Sequence, residues 1–187
     1  MPKFIALEGL CGVGKSTTSA LVAAALGTRV TETIPPEFNS LRKHVSAHGS
    51  LDARYLVFLA AVVSSAERIQ KQLDAGKDVV VESYLYRTIA FHQGMGSQFQ
   101  ISIPKGFLQP TDTIYLLCAH EERQNRLVKR GEEETKWDRL AEDRSTQIEE
   151  VYKSFHLPCL DVTSLSPEEA CVAVLGMVYG GKQHAIG

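Results

Sequence analysis

Residues Glu8–Thr18 read "EGLCGVGKSTT", set between the apolar run "FIALE" and the helix-forming "SALVAAAL". The stretch satisfies G-x-x-x-x-G-K-[ST] through Gly9, Gly14, Lys15 and Ser16. A phosphate group is bulky and heavily charged, so a backbone that wraps it must come close and offer many N–H donors. Glycines at Gly9, Gly12 and Gly14 permit the positive φ angles and close approach this requires. The helix starting near Lys15 points its amide-rich end at the same anion. Lys15 would reach the β- and γ-phosphates of a nucleotide, and the Ser16 hydroxyl would sit on Mg²⁺. A glycine-rich turn that binds nothing is the plain alternative. The apolar run before the loop and the Ala/Leu-rich helix after it weigh against that alternative.

The 187 residues suit one domain with a substantial core. Acidic residues outnumber basic ones by 22 to 20, so no net positive field recommends a nucleic-acid partner. Cys11, Cys118, Cys159 and Cys171 are scattered, with no C-x-x-C pair and no zinc spacing, which fits a reducing cytoplasm. The histidines show no metal-ligand grouping, and His92 is assigned no chemistry. The N-terminal "MPKFIALEG" is too short in its apolar part for a signal peptide. The longest apolar run, Tyr55–Val63, falls far short of the roughly 20 residues a membrane span needs. The expectation is a soluble, cytoplasmic protein.

Short apolar segments alternate with helical patterns. Lys3–Glu8, Arg29–Thr33, Asp78–Ser83, Asp112–Cys118 and Pro158–Val162 read as strands. Between and after them, Lys15–Leu26, Asn39–Ala47, Asp52–Ala75, Leu85–Gln93, His120–Arg130, Lys136–Phe155 and Pro167–Tyr179 read as helices. Strands that are apolar almost throughout, joined by helices, imply a parallel sheet buried on both faces, in a three-layer α/β architecture. Residues 1–179 form the expected single domain, and 180–187 have nothing to bury and read as a flexible tail.

In such a sheet ligands collect at the carboxyl ends of the strands, which directs attention to Glu8, Glu32 and Glu82. Glu82 closes the run "VVV". A carboxylate there could take a proton from an acceptor hydroxyl or hold Mg²⁺ through water. A capping or salt-bridged acid is the structural alternative. Arg87, five residues on, suits an acceptor anion or the transferring phosphoryl group, with an ordinary surface arginine as the alternative. Arg123, Arg126 and Arg130 recur at helical spacing beside Lys129, ahead of Gly131 and an acidic stretch. Arginines on a short lid, about 126–138, would neutralise the charge that phosphoryl transfer spreads over oxygen, with Trp137 packing the lid shut. Arg126 and Arg130 are selected as catalytic. A solvated helix face whose bases pair with Glu132, Glu133 and Glu134 is the competing view.

With these pieces in order, the chain resembles the thymidylate kinase family of P-loop nucleotide kinases, close kin to the deoxynucleoside kinases. The resemblance rests on "FIALEGLCGVGKSTT", on "RYLVFLAAVVSSAERIQKQLDAGKDVVVESY", on "TDTIYLLCAHEERQNRLVKRG" and on "LDVTSLSPEEACVAVLGMV". It implies a P-loop kinase fold with a five-stranded parallel sheet, ATP·Mg²⁺ as donor, a nucleoside or nucleotide acceptor, and a homodimer. The ATP-binding residues it implies are Gly9, Gly12, Val13, Gly14, Lys15, Ser16 and Thr17, with Ser16 and Glu82 at the metal and Lys15, Glu82, Arg126 and Arg130 catalytic. The acceptor-binding residues are Glu8, Cys11, Glu32, Phe58 and Arg87, with Phe58 matching the family's aromatic that stacks on the acceptor base.

The acceptor half departs from the family. Cys11 stands where an aspartate commonly lies near the acceptor sugar. It either faces an altered acceptor or is an inert loop cysteine. Glu82-Ser83 replaces an Asp-Arg, the loop "TETIPPE" lacks an arginine, and Ala61-Val62 replaces an Asp-Arg whose arginine meets the base. Removing one charge-assisted hydrogen bond from a dianionic phosphate costs about 1.5–3 kcal/mol. The expected activity is therefore ATP-dependent phosphorylation of a nucleoside, or of a different nucleotide held by Arg87, Arg42 and Arg54, but not of ordinary dTMP. A kinase for another hydroxylated small molecule of specialised metabolism and a non-catalytic ATP-binding regulator are the alternatives. A GTPase-type switch would want N-K-x-D, which the sequence lacks.

Overall fold

The computed structural model describes residues 1–131 and 133–180. Strand β1 (Phe4–Glu8) has no exposed residue, because it is flanked by strands and covered by helices on both faces. It leads through the phosphate loop into α1 (Lys15–Ala25). Helices α2 (Asn39–His48) and α3 (Leu51–Asp74) follow. Strand β2 (Val79–Glu82), helix α4 (Leu85–Gly94) and strand β3 (Asp112–Leu117) come next. The chain then forms α5 (His120–Arg130), α6 (Lys136–Asp143), α7 (Ser145–Ser154), β4 (Cys159–Asp161) and α8 (Pro167–Tyr179).

The four strands form one parallel sheet in the order β2-β1-β3-β4. Leu7 of β1 is aligned with Glu82 of β2 on one side and Ile114 of β3 on the other. The period of two sends Phe4 and Ala6 into a core with Tyr55, Val62 and Ile69 of α3 and Ile89 of α4. It sends Ile5 and Leu7 into a second core with Val22 of α1 and Val174 of α8. The register of β1 is thus locked by burial on two faces.

The sheet has four strands among the described residues, not five. The expected strand Arg29–Thr33 is reduced to one parallel bridge, Val30 with Val80, supported by the Thr31 N–H donating to the Val80 carbonyl at 2.8 Å. Val30 is the single apolar residue in "RVTET", and Pro35 and Pro36 beyond it have no N–H to extend a ladder. Among the described residues the arginine-bearing lid is not found either. Arg126 and Arg130 ride on α5, and only a short connection separates that helix from α6. Lys136–Phe155 is two helices that meet at Arg144. Glu132 and the expected tail beyond Gly180 lie outside the described residues.

Helices α4 and α7 approach closely at Gly94, where an added Cβ would stand 2.6 Å from Ile148 Cα. Alanine's better helix propensity is worth at most about 1 kcal/mol there. Forcing a methyl group into a packed backbone contact costs about 1–3 kcal/mol. Gly94→Ala is therefore expected to lower stability by about 1–2 kcal/mol in urea unfolding. A stabilised variant would show that these helices part without penalty.

Candidate active site

The phosphate loop takes the shape its glycines allow. Gly12 and Gly14 have φ of 85° and 101°, and a Cβ at Gly12 would come 2.9 Å from the Arg123 carbonyl oxygen. Lys15 is buried and folds back to donate to the Leu10 carbonyl at 2.7 Å. Burial, and then the nearby Arg87, pull its ammonium down to about 8. Thr17, by contrast, is exposed, and Val13 is in the core with only its carbonyl turned to Arg126. The Ser16 hydroxyl donates to Glu82 Oε1 at 2.9 Å. Two hard oxygen donors meeting at the mouth of a phosphate-sized loop are a chemistry that suits Mg²⁺ alongside phosphate oxygens. Among the described residues no group of three or more His, Cys, Asp or Glu could hold a metal by itself.

What aims Glu82 at Ser16 is the turn after β2. Ser83 has φ of 66°, an uncommon value for a residue with a side chain. The turn is held on both sides: the Ser83 N–H donates to the Leu7 carbonyl at 3.0 Å, and the Tyr84 N–H to Glu8 Oε1 at 2.8 Å. Glu8 Oε2 accepts from the Tyr152 hydroxyl at 3.1 Å. Glu8 is fully buried, and burial outweighs these hydrogen bonds and Arg87, pushing its carboxyl up to about 7.

Two cavities meet at this turn. One, of about 310 Å³, follows the phosphate loop and reaches Arg126 and Arg130. The other, of about 780 Å³, lies between α2, α3, α4 and the start of α6, with Phe58, Trp137 and His92 among its walls. Glu82 and Arg87 line both. Arg87 is anchored beside the loop, donating to the Gly9 carbonyl and to Cys11 Sγ, each at 3.4 Å, with its guanidinium 3.9 Å from the Phe91 ring centroid. Burial alone would raise the Cys11 thiol, but Arg87 and Lys15 outweigh it and hold the thiol below its ordinary value.

The larger cleft is rich in cations: Arg42, Lys43, Arg54, Arg87 and Lys136 line it, against the carboxylates of Glu82 and Asp138. Nε of Arg42 and Nε of Arg54 are buried without a hydrogen-bond partner. Arg54 is pulled down to about 10, by burial first and then by Arg87. The cleft's roof is tied across: Trp137 Nε1 donates to the Ser46 carbonyl at 2.7 Å and Lys136 Nζ to that of Ala47 at 3.3 Å.

The sequence-selected residues divide accordingly. Lys15, Ser16, Glu82 and Arg87 come together, and Phe58 lines the larger cleft. Glu8 lies beneath the site with both oxygens engaged, and Glu32 is exposed on the connection whose Thr33 and Ile34 line the cleft. Arg126 fastens elements together, donating to the carbonyls of Val13, Val162 and Thr163 and to Glu122. Arg123 is buried and paired with Glu142 at 2.6 Å. His92, given no role from sequence, is in the cleft wall 2.7 Å from Arg54. Its four-residue step from Thr88 on α4 is the available signal.

A glycine loop whose lysine and serine face a strand-end carboxylate, on a parallel sheet covered by helices, defines a P-loop phosphotransferase. A family model described as thymidylate kinase matches residues 7–170, and the chain belongs to that family. Membership implies ATP- and Mg²⁺-dependent kinase activity in general. The chain is 26% identical over 171 residues to the thymidylate kinase of Leptospira borgpetersenii serovar Hardjo-bovis, covering 83% of this chain and 80% of the relative. It is 27% identical over 176 residues to that of Legionella pneumophila strain Corby, with the same coverage of 83% and 80%. In fold it is similar to a thymidylate kinase from Candida albicans, with a TM-score of 0.77 at 18% identity over 97% of this chain and 92% of that one. It is also similar to a deoxyadenosine kinase from M. mycoides, with a TM-score of 0.67 at 18% identity over 95% and 99%. No helix among the described residues is long and apolar enough to cross a membrane.

Glu8 gives the site a pH signature. Its carboxyl titrates at an ordinary 4.5 when exposed and at about 7 in the folded chain. Between those values the unfolded chain has released the proton and the folded chain retains it, so stability falls as pH rises. Glu8→Gln keeps an acceptor for the Tyr84 N–H but cannot ionise. The stability of Glu8→Gln relative to the parent should therefore climb by about 3 kcal/mol from pH 4.5 to 7.5. Parallel urea titrations across that range check it, and a constant difference would mean that Glu8 ionises freely in the folded state.

Proposed function

We propose that this chain, a single kinase domain over residues 1–179, transfers the γ-phosphoryl group of ATP to a nucleoside or nucleotide other than ordinary dTMP. The observation that carries the reading is the junction of the two cavities at Glu82 and Arg87. A donor on the phosphate loop and an acceptor in the larger cleft would meet there and nowhere else along either cavity. The four free cysteines support a reducing, cytoplasmic setting.

Each residue's part follows from its position. The loop amides and Lys15 hold the donor phosphates, and Lys15, drawn towards neutrality by burial and Arg87, regains its full charge beside them. Ser16 and Glu82 would hold Mg²⁺, which when bound screens the phosphate charge and orients the transferring group. Glu82 orients the attacking acceptor oxygen, and Arg87 contacts the group in transfer from the acceptor side. Arg130 borders the loop cavity as a further cation towards the donor, and Arg126 ties α5 to the loop and to the segment after β4. Phe58 offers its face to a flat ring, and Arg42 and Arg54 bring charge to the cleft that Ser83 and Val62 do not.

Two measurements test the reading. Glu82→Gln keeps shape and hydrogen bonding but loses the charge, so kcat should fall by about a hundredfold or more with ATP affinity nearly kept. An unchanged kcat would make Glu82 a structural acid. For the acceptor, kcat/KM measured with ATP·Mg²⁺ over nucleosides and nucleoside monophosphates should leave dTMP at least about tenfold below the best, a gap of about 1.4 kcal/mol. If dTMP comes out best, Arg42, Arg54 and Arg87 together replace the family's cations, and the acceptor is the family's ordinary one.

A further inference from the structure

Arg54 is a cation held in place in the larger cleft, yet no carboxylate lies within salt-bridge distance of it among the described residues. Its Nη1 is 2.7 Å from His92 Nε2, and His92 Nδ1 is 2.7 Å from the Thr88 carbonyl oxygen. A carbonyl only accepts and a guanidinium only donates, so His92 must carry its proton on Nδ1 and offer a lone pair from Nε2. The imidazole is itself fixed, 2% exposed and stacked on Tyr55 with ring centroids 4.7 Å apart and planes within 2°. A carboxylate in this place would orient Arg54 and neutralise it. A neutral histidine orients it and leaves the charge intact.

The guanidinium carbon lies 4.2 Å from the Phe58 ring centroid and 5.1 Å from that of Trp137, so two aromatic faces border it. With Nη1 given to His92, the opposite edge of the guanidinium, Nε and Nη2, remains. Nε is buried without a partner, and Nη2 has no hydrogen bond among the described residues. That edge is a rigid fork of parallel N–H donors. Arg54 lines the larger cleft but not the loop cavity, and borders Phe58, so it meets the part of an acceptor remote from the phosphate loop. For a nucleoside-type acceptor reacting at that junction, the remote part is the base.

We infer that Arg54, positioned by His92, reads the edge of the acceptor's base and selects bases that present adjacent hydrogen-bond acceptors there over thymine. The inference rests on the kinase reading above for which end of the acceptor lies where. Cytosine presents N3 beside O2, and guanine presents N7 beside O6, so a fork of donors meets acceptors at both points. Thymine presents its N3–H between two carbonyls, and a donor fork laid along that edge sets one N–H against another. A buried donor left facing a donor is the strongest form of rejection a polar site has. Arg54 stands four residues before Phe58, as Val62 stands four after it, so all three lie along one face of α3.

Trp137 is the chain's single tryptophan and lines the cleft, so its fluorescence reports acceptor binding without any turnover. The probes are dCMP, dGMP, dTMP and dUMP, with deoxycytidine, deoxyguanosine and thymidine as the uncharged series, titrated into the full chain. The cytosine or the guanine compound should bind about tenfold or more tightly than its thymine counterpart. Which of the two does so identifies the edge being read. Arg54→Lys keeps the charge but not the fork, and should shrink that preference below about threefold while thymine affinity hardly moves. His92→Leu should act likewise, and His92→Gln, whose side-chain oxygen can accept from Arg54, should restore the preference. Thymine compounds binding as tightly as the others, no binding by either series, or equal weakening of all probes in Arg54→Lys would overturn the inference. Phosphoryl transfer from ATP, followed separately, keeps the two readings apart. Selective binding with no transfer sinks the kinase assignment alone, whereas transfer with no base preference sinks this one alone.

Discussion

Glu8 is a carboxyl group sealed in the core at the end of the central strand, and the site is assembled around it. One oxygen takes the Tyr84 N–H and the other the Tyr152 hydroxyl, so β1, the start of α4 and α7 converge on a single residue. Burying a polar group without partners is expensive, and a packing that satisfies both oxygens has few alternatives nearby. This is why the chain can hold Ser83 at φ 66°, a conformation it would not choose alone. Because the turn at Ser83 is fixed, Glu82 lies opposite Ser16 rather than following the strand outward. The phosphate loop begins at the very next residue after Glu8. The carboxylate at the strand end and the loop are therefore surveyed from one point.

Charge, by comparison, is left unbalanced. Arg87 bears on both Lys15 and Arg54, adding to burial in pulling each of them below its ordinary value. Elsewhere the chain pairs its cations readily: Arg123 is gripped by Glu142 and Arg126 by Glu122. The contrast separates arginines paired with carboxylates from Arg54 and Arg87, which have none at salt-bridge distance among the described residues. An anion bound between these cations would relieve the repulsion that Arg87 exerts on Lys15 and Arg54.

Most of the fold is legible in the sequence because it is written in local patterns. Continuous apolar runs mark the buried parallel strands, and the glycine spacing locates the loop to the residue. The fifth strand fails since Val30 alone is apolar where a ladder needs several, and the two prolines beyond it carry no N–H. Helical spacing puts Arg123, Arg126 and Arg130 on neighbouring turns but cannot say what each will meet. Glu142, which takes Arg123, is 19 residues away, and the Val162 carbonyl, which takes Arg126, is 36 away. The same holds for the cleft. Phe58 is picked out by the resemblance to the family, whereas the bond between Arg54 and His92 joins residues 38 apart on different helices. Glu8 reads in the sequence as a strand-end acid facing a ligand; its burial depends on Tyr152 of α7, which no local pattern brings near.

The missing ladder on the outer side of β2 has a consequence for how such a chain can change over generations. A strand in a sheet is constrained at every residue, since each substitution must respect pairing, pleat and burial at once. Beyond the Val30 bridge, the connection through Phe38 carries no such obligation, and its Thr33 and Ile34 line the larger cleft. Insertions, deletions and side-chain exchanges there leave the four paired strands intact. A wall of the larger cleft is thus free to drift, and the shape of that cleft can change at little risk to folding.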